Sequence, residues 1–299
     1  MGAPDSEIEV SKNTISQPAA GRDISYADLD QLIASGLPSV GGFRVARVDS
    51  IDSTNSYLSS AAGRGEASGL VVCARHQSAG RGRRDRKWND DAGESLLFSV
   101  LFRAEIGEGS VDGSDSPARY GQLVGLAVAL VGRQLGAPID LKWPNDLMVG
   151  SRKLAGVLGE TSITGSQIAV VVGCGINLNW NLAPQTGSDG TGSNSAGSNP
   201  ICLSEACGSH VDRVAFLDEV LTTLGELQAT PAKAAEMYRQ LCATIGKSVR
   251  VELEGNSLVG VVQDVRDDGA LLLDVNGCAH VLTQGEVVHL RTEVDSQPR

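Results

Sequence analysis

Apolar residues along this chain fall into short runs rich in β-branched and aromatic side chains, broken by turn-forming residues and interleaved with stretches of helical spacing. The runs at 43–48, 69–75 and 95–103 predict strands, as do those at about 153–162 and 167–178. Tyr26 to Gly36 predicts a short helix ended by Gly36. Over 118–135 the apolar positions recur at helical spacing, and Gly121, Gly125 and Gly132 would let that helix lie close to a sheet. Two more helices are expected at about 211–228 and 231–245, with Thr230 as N-cap and Pro231 at the first helical position of the second.

From Gly246 the pattern shortens. Val249–Leu253, Leu258–Val265, Ala270–Val275 and His280–Thr283 alternate with turn residues, among them Asn276-Gly277 between two apolar runs. This predicts a small antiparallel β-barrel. Residues 1–22 are polar and aperiodic and read as a disordered lead-in. Residues 104–117 read as an acidic surface loop. Residues 181–199 are low in complexity and read as a mobile insertion. The expected organisation is therefore a first domain over 23–245, a small β domain over 246–294 and a tail over 295–299.

Charge narrows the functional classes. Lys and Arg total 25 against 36 Asp and Glu, a net charge of −11, which argues against a protein that coats DNA or RNA. No window approaches 18 apolar residues, so no membrane span is expected. The six Cys form no CxxC and only four His are present, which argues against a zinc site. With no secretory signal at the N-terminus, a reducing cytoplasm is the expected setting.

Against this acidic background, residues 75–87 (RHQSAGRGRRDRK) concentrate six of the 25 basic residues. Glycines free the backbone around Arg81 and Arg83, and arginine donates bidentately while staying charged. The loop suits phosphate or carboxylate capture; it also reads as a solvated basic loop or an RNA-binding arm. Mutual repulsion would keep it mobile until an anion arrives.

Lys142-Trp143-Pro144-Asn145-Asp146 would be a stiff turn between strands, with Asn145 and Asp146 holding it by side-chain hydrogen bonds. That turn would bring Lys142 and Asp146 together. Lys153 precedes an apolar strand whose Gly156 and Gly159 let a ligand approach the backbone. It also reads as an ordinary strand entry with a solvated lysine. Gly173-Cys174-Gly175-Ile176-Asn177 ends a strand but is no dinucleotide fingerprint. Gly246-Lys247-Ser248 resembles the end of a P-loop, but Leu241 stands where its first Gly should be. Asp52-Ser53-Thr54-Asn55 reads as a helix cap or as a polar cluster for a small neutral group.

Taken in order, Ser-Thr-Asn, Gln77 with Gly-Arg-Gly-Arg-Arg, Lys-Trp-Pro-Asn-Asp, Lys-Leu-Ala-Gly and Gly-x-Gly-Ile-Asn resemble the motifs of the biotin protein ligase family over roughly residues 43 to 294. The resemblance implies an α+β fold: a class II synthetase-like catalytic domain, with a mixed sheet flanked by helices, and an SH3-like C-terminal barrel. It implies ATP and biotin as substrates, Mg²⁺ to offset phosphate charge, and the carrier domain of a carboxylase as the protein partner. The family's repressor members carry an N-terminal DNA-binding domain that nothing here matches, so no DNA partner is expected.

By the same resemblance, Ser53, Thr54, Asn55 and Gln77 hydrogen-bond the ureido and carboxylate ends of biotin. Arg81, Gly82 and Arg83 close over biotin and the adenylate, and Trp88 shields the adenylate from water. Lys142, Asn145 and Asp146 form the nucleotide and metal side. Lys153 and Arg83 are the catalytic cations, while Gly156, Gly173 and Asn177 line the pocket. Asp85, where the family has Gly, and the acidic 89–92 segment depart from the pattern. A lipoate or octanoate ligase is the nearest rival reading, and a non-catalytic biotin- or RNA-binding module the rival from another class.

Overall fold

A computed structural model describes residues 23–84, 86–88, 94–105, 117–164, 167–179 and 200–290. The expectations for 1–22, for most of the 104–117 loop, for 181–199, for Asp85, for 89–92 and for 295–299 lie outside the described residues.

The chain runs α1 (Tyr26–Ala34), β1 (Ser39–Val40), β2 (Phe43–Ile51), α2 (Thr54–Gly63), β3 (Leu70–Gln77), β4 (Ser95–Glu105) and α3 (Pro117–Gln134). It continues through β5 (Ile139–Lys142), β6 (Asp146–Val149), β7 (Arg152–Thr164), β8 (Gln167–Asn177), α4 (Leu203–Cys207), α5 (Arg213–Ala229) and α6 (Pro231–Leu241). The last five strands are β9 (Ser248–Glu252), β10 (Ser257–Val265), β11 (Leu271–Val275), β12 (Cys278–Leu282) and β13 (Glu286–His289).

Eight strands form one mixed sheet in the order β1-β2-β3-β4-β8-β7-β6-β5. Only β2 and β3 pair in parallel; the other ladders are antiparallel. Both faces are covered, which is why the central strands read as unbroken apolar runs rather than alternating ones. On one face Ala46, Val72, Ala74, Leu101 and Val171 pack with Tyr57, Leu58 and Ala61 of α2 and with Leu29 of α1. On the other face Val71, Phe98, Val100 and Val172 share a core with Val124 and Ala127 of α3 and Leu217 and Val220 of α5. Gly132 matters to that second layer. A Cβ there would overlap Ile139 Cδ1, so the bare position leaves room for that side chain between α3 and β5.

Several details differ from the sequence expectation. The final helix stops at Leu241, because the chain turns to place Ala243 N–H on Leu141 O at 2.8 Å. Thr230 stands at the N-cap of α6 as expected, but its side chain makes no capping bond; its hydroxyl donates back to Glu226 O at 3.0 Å instead. The C-terminal strands form an open antiparallel sheet, β12-β11-β10-β9-β13, and no ladder closes β12 onto β13 among the described residues. The expected Asn276-Gly277 turn is there, with φ of 55° and 85°, joining Val275 to Cys278.

Trp143 locks the two sheets together. It is 2% exposed; its indole Nε1–H donates to Gly269 O at 3.0 Å, and its backbone N–H donates to Thr244 Oγ1 at 3.1 Å. Among the described residues no helix is long and apolar enough to cross a membrane.

Candidate functional site

A cavity of about 580 Å³ opens between the large sheet and the last strand of the small one, and its lining mixes apolar and polar side chains, as small-molecule sites do. All fifteen residues singled out from the sequence line it: Ser53, Thr54, Asn55, Gln77, Arg81, Gly82, Arg83, Trp88, Lys142, Asn145, Asp146, Lys153, Gly156, Gly173 and Asn177.

The Ser53 cluster serves both of its readings. Ser53 caps α2, accepting from Ser56 N–H, while Thr54 and Asn55 are buried on the cavity side of the first turn. Thr54 N–H donates to Gln77 Oε1 at 2.7 Å, tying α2 to the end of β3. Ser99 on β4 completes the cluster, 2.6 Å from both Thr54 Oγ1 and Asn55 Oδ1. A Cβ on Gly173 would overlap Asn55 Oδ1, so the glycine leaves room for that amide.

The basic loop folds into a compact hairpin. Gly82 N–H donates to Arg86 O at 2.7 Å, Trp88 N–H to Gly80 O at 3.1 Å, and Arg81 bridges Lys87 across the turn. Arg84 takes the left-handed φ of 54° at the tip. The repulsion expected among its charges meets carboxylates that the sequence did not point to. Glu160 on β7 pairs with Arg81 at 2.5 Å, and Glu286 on β13 pairs with Arg84 at 2.8 Å and Arg86 at 3.2 Å. Arg83 points inward, donating to Asn145 Oδ1 and Gly285 O at 3.2 Å each. Burial, and then the neighbouring Arg84, lower its pKa below the usual arginine value, with Asp146 and Glu286 opposing. It stays a cation. The indole of Trp88 lies over the cross-strand pair Gly156–Gly175, where a Cβ on Gly175 would stand 2.5 Å from the ring.

The Lys-Trp-Pro-Asn-Asp segment is the turn between β5 and β6, with a cis Trp143–Pro144 bond and Lys142 directly opposite Asp146. Asn145 does not hold this turn. Its Nδ2–H donates to Val157 O at 3.0 Å and its carbonyl accepts from Val157 N–H at 2.9 Å, so it ties the turn to β7.

A bulge aims Lys153. Leu147 pairs with Ala155 but Met148 pairs with Lys153, so one extra residue sits in β7. That puts Lys153 on the cavity face, its Nζ 2.6 Å from Asp146 Oδ1. Without the bulge, Leu154 would face the cavity instead. Asn177 Nδ2–H donates to Ile201 O at 3.2 Å, while its buried Oδ1 has no hydrogen-bond partner among the described residues. Burial pushes the neighbouring Cys174 thiol up to about 12, which leaves it inert at neutral pH.

Sequence reasoning missed Ser99, Glu160, Lys247, Glu286 and His289, all of which line this cavity or brace its loop. Gly246-Lys247-Ser248 is no P-loop, yet the fold turns Lys247 to the cavity that His289 also lines. Burial, then Lys142 and Lys247, lower the pKa of His289 below its ordinary 6.5.

Comparisons with known proteins agree with this geometry. Residues 47–177 match the model of the biotin/lipoate A/B protein ligase family, and residues 244–290 match the biotin protein ligase C-terminal domain. The chain is similar to a biotin–[acetyl-CoA-carboxylase] ligase of Mycobacterium tuberculosis, with 34% identity over 88% of this chain and 94% of that protein. It is also similar to the bifunctional ligase/repressor BirA of Escherichia coli, with 33% identity over 84% of this chain and 75% of that one. Among solved structures, a biotin protein ligase from Aquifex aeolicus in complex with biotin and ATP superposes with a TM-score of 0.64 at 24% identity. That match covers 83% of this chain and 99% of the Aquifex chain, and it speaks to the fold.

Proposed function

The chain belongs to the biotin protein ligase family, and on that premise we propose that it activates biotin with ATP and transfers it to a lysine of a carboxylase carrier domain. In the first step a biotin carboxylate oxygen attacks the α-phosphorus of ATP. The bond to the bridging oxygen breaks, pyrophosphate leaves, and biotinyl-5′-AMP forms. In the second, the neutral ε-amine of the carrier lysine attacks the acyl carbon. AMP departs with the bonding pair, and the amine gives up a proton as the amide forms.

One observation carries this reading. Five motifs spread over more than a hundred residues converge on one cavity, with two fixed cations, Lys153 and Arg83, facing it. Negative charge gathers on phosphate and acyl oxygens in both transition states, and preorganised cations stabilise it without reorganising. Asp146 holds Lys153, while Asn145 and Gly285 O hold Arg83, so both charges are set before substrate arrives.

Ser53, Thr54, Asn55 and Gln77 take the ureido and carboxylate ends of biotin. Arg81, Gly82 and Trp88 cover the intermediate, and Gly156 and Gly173 let biotin approach bare backbone. Lys142, Asn145 and Asn177, all on the cavity lining, take the nucleotide. Among the described residues no three His, Cys, Asp or Glu come together to hold a metal, and Lys153 already engages one oxygen of Asp146. That donor set fits Mg²⁺ carried on the triphosphate, with Asp146 as its protein ligand, rather than an ion caged by protein alone. When bound, the ion neutralises phosphate charge. The six free cysteines, four of them buried, suit a reducing cytoplasm.

The test is pyrophosphate release from ATP and Mg²⁺ with biotin, with lipoate and octanoate as controls, followed by addition of a carrier domain. Biotin-specific release and labelling of the carrier lysine are expected. Release with lipoate or octanoate alone would move the protein to the sister activity. No release with any of the three acids, from folded protein, would refute the enzyme reading.

A further inference from the structure

We propose that Glu160 is a positioning residue that sets the direction of the hydrogen bonds at the polar end of the cavity, so that this end accepts N–H groups from its ligand. The proposal rests on the biotin reading, because the cyclic urea of biotin carries two such N–H groups.

Thr54, Asn55 and Ser99 are buried, so each short contact between them needs one proton and one acceptor. An ionised carboxylate only accepts. Glu160 Oε2 takes Asn55 Nδ2–H at 2.8 Å, and Leu158 O takes the same amino group at 3.3 Å. The amide oxygen of Asn55 therefore faces Ser99 Oγ at 2.6 Å, and Ser99 must spend its only proton there. Thr54 Oγ1 lies 2.6 Å from Ser99 Oγ, so Thr54 must donate in turn. That proton is shared with Gln77 Oε1, 3.0 Å away, which Thr54 N–H also holds at 2.7 Å.

The chain thus runs from Thr54 through Ser99 and Asn55 to Glu160 and ends on a charge. Thr54 Oγ1, on the cavity wall, is left with lone pairs only. Turning the Asn55 amide over would reverse every link and release Thr54 from donating to Ser99, leaving its proton for Gln77 Oε1 or for a ligand. The carboxylate prevents this, because two acceptors would then face each other. Arg81 Nη2 donates to the same Glu160 oxygen at 2.5 Å, so one carboxylate serves both the polar chain and the loop above it.

The experiment measures pyrophosphate release by the full chain with two acids: biotin, and its cyclic carbamate analogue, in which one ring N–H is replaced by oxygen. Wild type, Glu160→Leu, Glu160→Gln and Ser99→Ala are compared, with thermal melts to establish folding. Wild type should prefer biotin. Losing a bond to a charged acceptor should raise the KM for biotin by roughly tenfold or more in Glu160→Leu, with less effect on kcat or on the KM for ATP. The preference for biotin over the carbamate should fall by about tenfold, because Thr54 can then donate. Glu160→Gln keeps an acceptor oxygen but tolerates either amide orientation, and should fall between. Ser99→Ala leaves the pair with Arg81 intact and should lose the same preference, which tests the chain even if Glu160→Leu fails to fold. Folded variants that lose activity equally with both acids, at unchanged preference, overturn the proposal. A wild type that releases pyrophosphate with neither acid overturns the ligase reading instead, and that result appears before any variant is made.

Discussion

Replacing Lys153 with Met removes a cation while keeping most of the side chain's length. Two effects follow, and they differ in size. The first is structural: Asp146 loses a partner at 2.6 Å. Breaking a fully buried pair costs about 3–5 kcal/mol, but these side chains are 17% and 25% exposed, so water reaches the orphaned carboxylate. A cost of about 1–2 kcal/mol is the reasonable scale, a fall of several degrees in Tm for a chain of this size. The protein stays folded at 25 °C, since domains carry about 5–15 kcal/mol of stability. The second effect is on the reaction. Lys153 is a preorganised charge aimed into the cavity, and removing one such group costs about 100- to 1000-fold in rate. The assay is kcat/KM for biotin-dependent pyrophosphate release at 25 °C, beside a thermal melt of the same preparation. A folded Lys153→Met variant within about threefold of wild type would show that Lys153 is a strand-entry lysine bound to Asp146 and nothing more.

Three further outcomes are expected. Gly175→Ala places a Cβ 2.5 Å from the Trp88 indole, which is rigid and must leave its seat. The 80–88 hairpin should then be cleaved faster by trypsin and the KM for ATP should rise, with Tm nearly unchanged; unaltered cleavage would mean that Trp88 does not anchor the loop. Trp143→Ala empties a fully buried site and removes the indole hydrogen bond to Gly269 O that joins the sheets, and should cost about 3–5 kcal/mol by urea denaturation, where a cost below about 1 kcal/mol would contradict that role. His289 resists protonation in the folded state, because burial, Lys142 and Lys247 lower its pKa below 6.5. The unfolded chain then binds a proton that the folded one refuses, so stability falls as pH drops through about 6.5 towards the lower folded value. His289→Gln should flatten that part of the stability curve, and urea midpoints from pH 7.5 to 5.5 that keep the wild-type slope would count against it.

Much of this was legible along the chain. Strands β2, β3, β4, β7 and β8 and helix α3 are long and strongly patterned, and their side chains report burial directly. The short elements were not legible. β1, β5, β6 and β13 have two to four residues each, too few for any period to emerge, and they exist because neighbouring strands complete their hydrogen bonds. The expected closure of the C-terminal strands was an inference from their number and spacing. Whether a sheet closes depends on register and curvature between strands far apart in sequence.

The cavity residues divide in the same way. Arginines among glycines, a Lys-Trp-Pro-Asn-Asp turn and a Ser-Thr-Asn cap are local patterns, and the sequence alone determined which side chains had the chemistry to matter. It could not determine which carboxylates answer the basic loop, since Glu160 and Glu286 lie 79 and 202 residues from their arginine partners. Nor could it say that an extra residue in β7 turns Lys153, rather than Leu154, toward Asp146. Residue type is a property of the chain. Which way a strand side chain faces depends on register, and register is set by the neighbouring strand, so only the assembled sheets decided which charges meet.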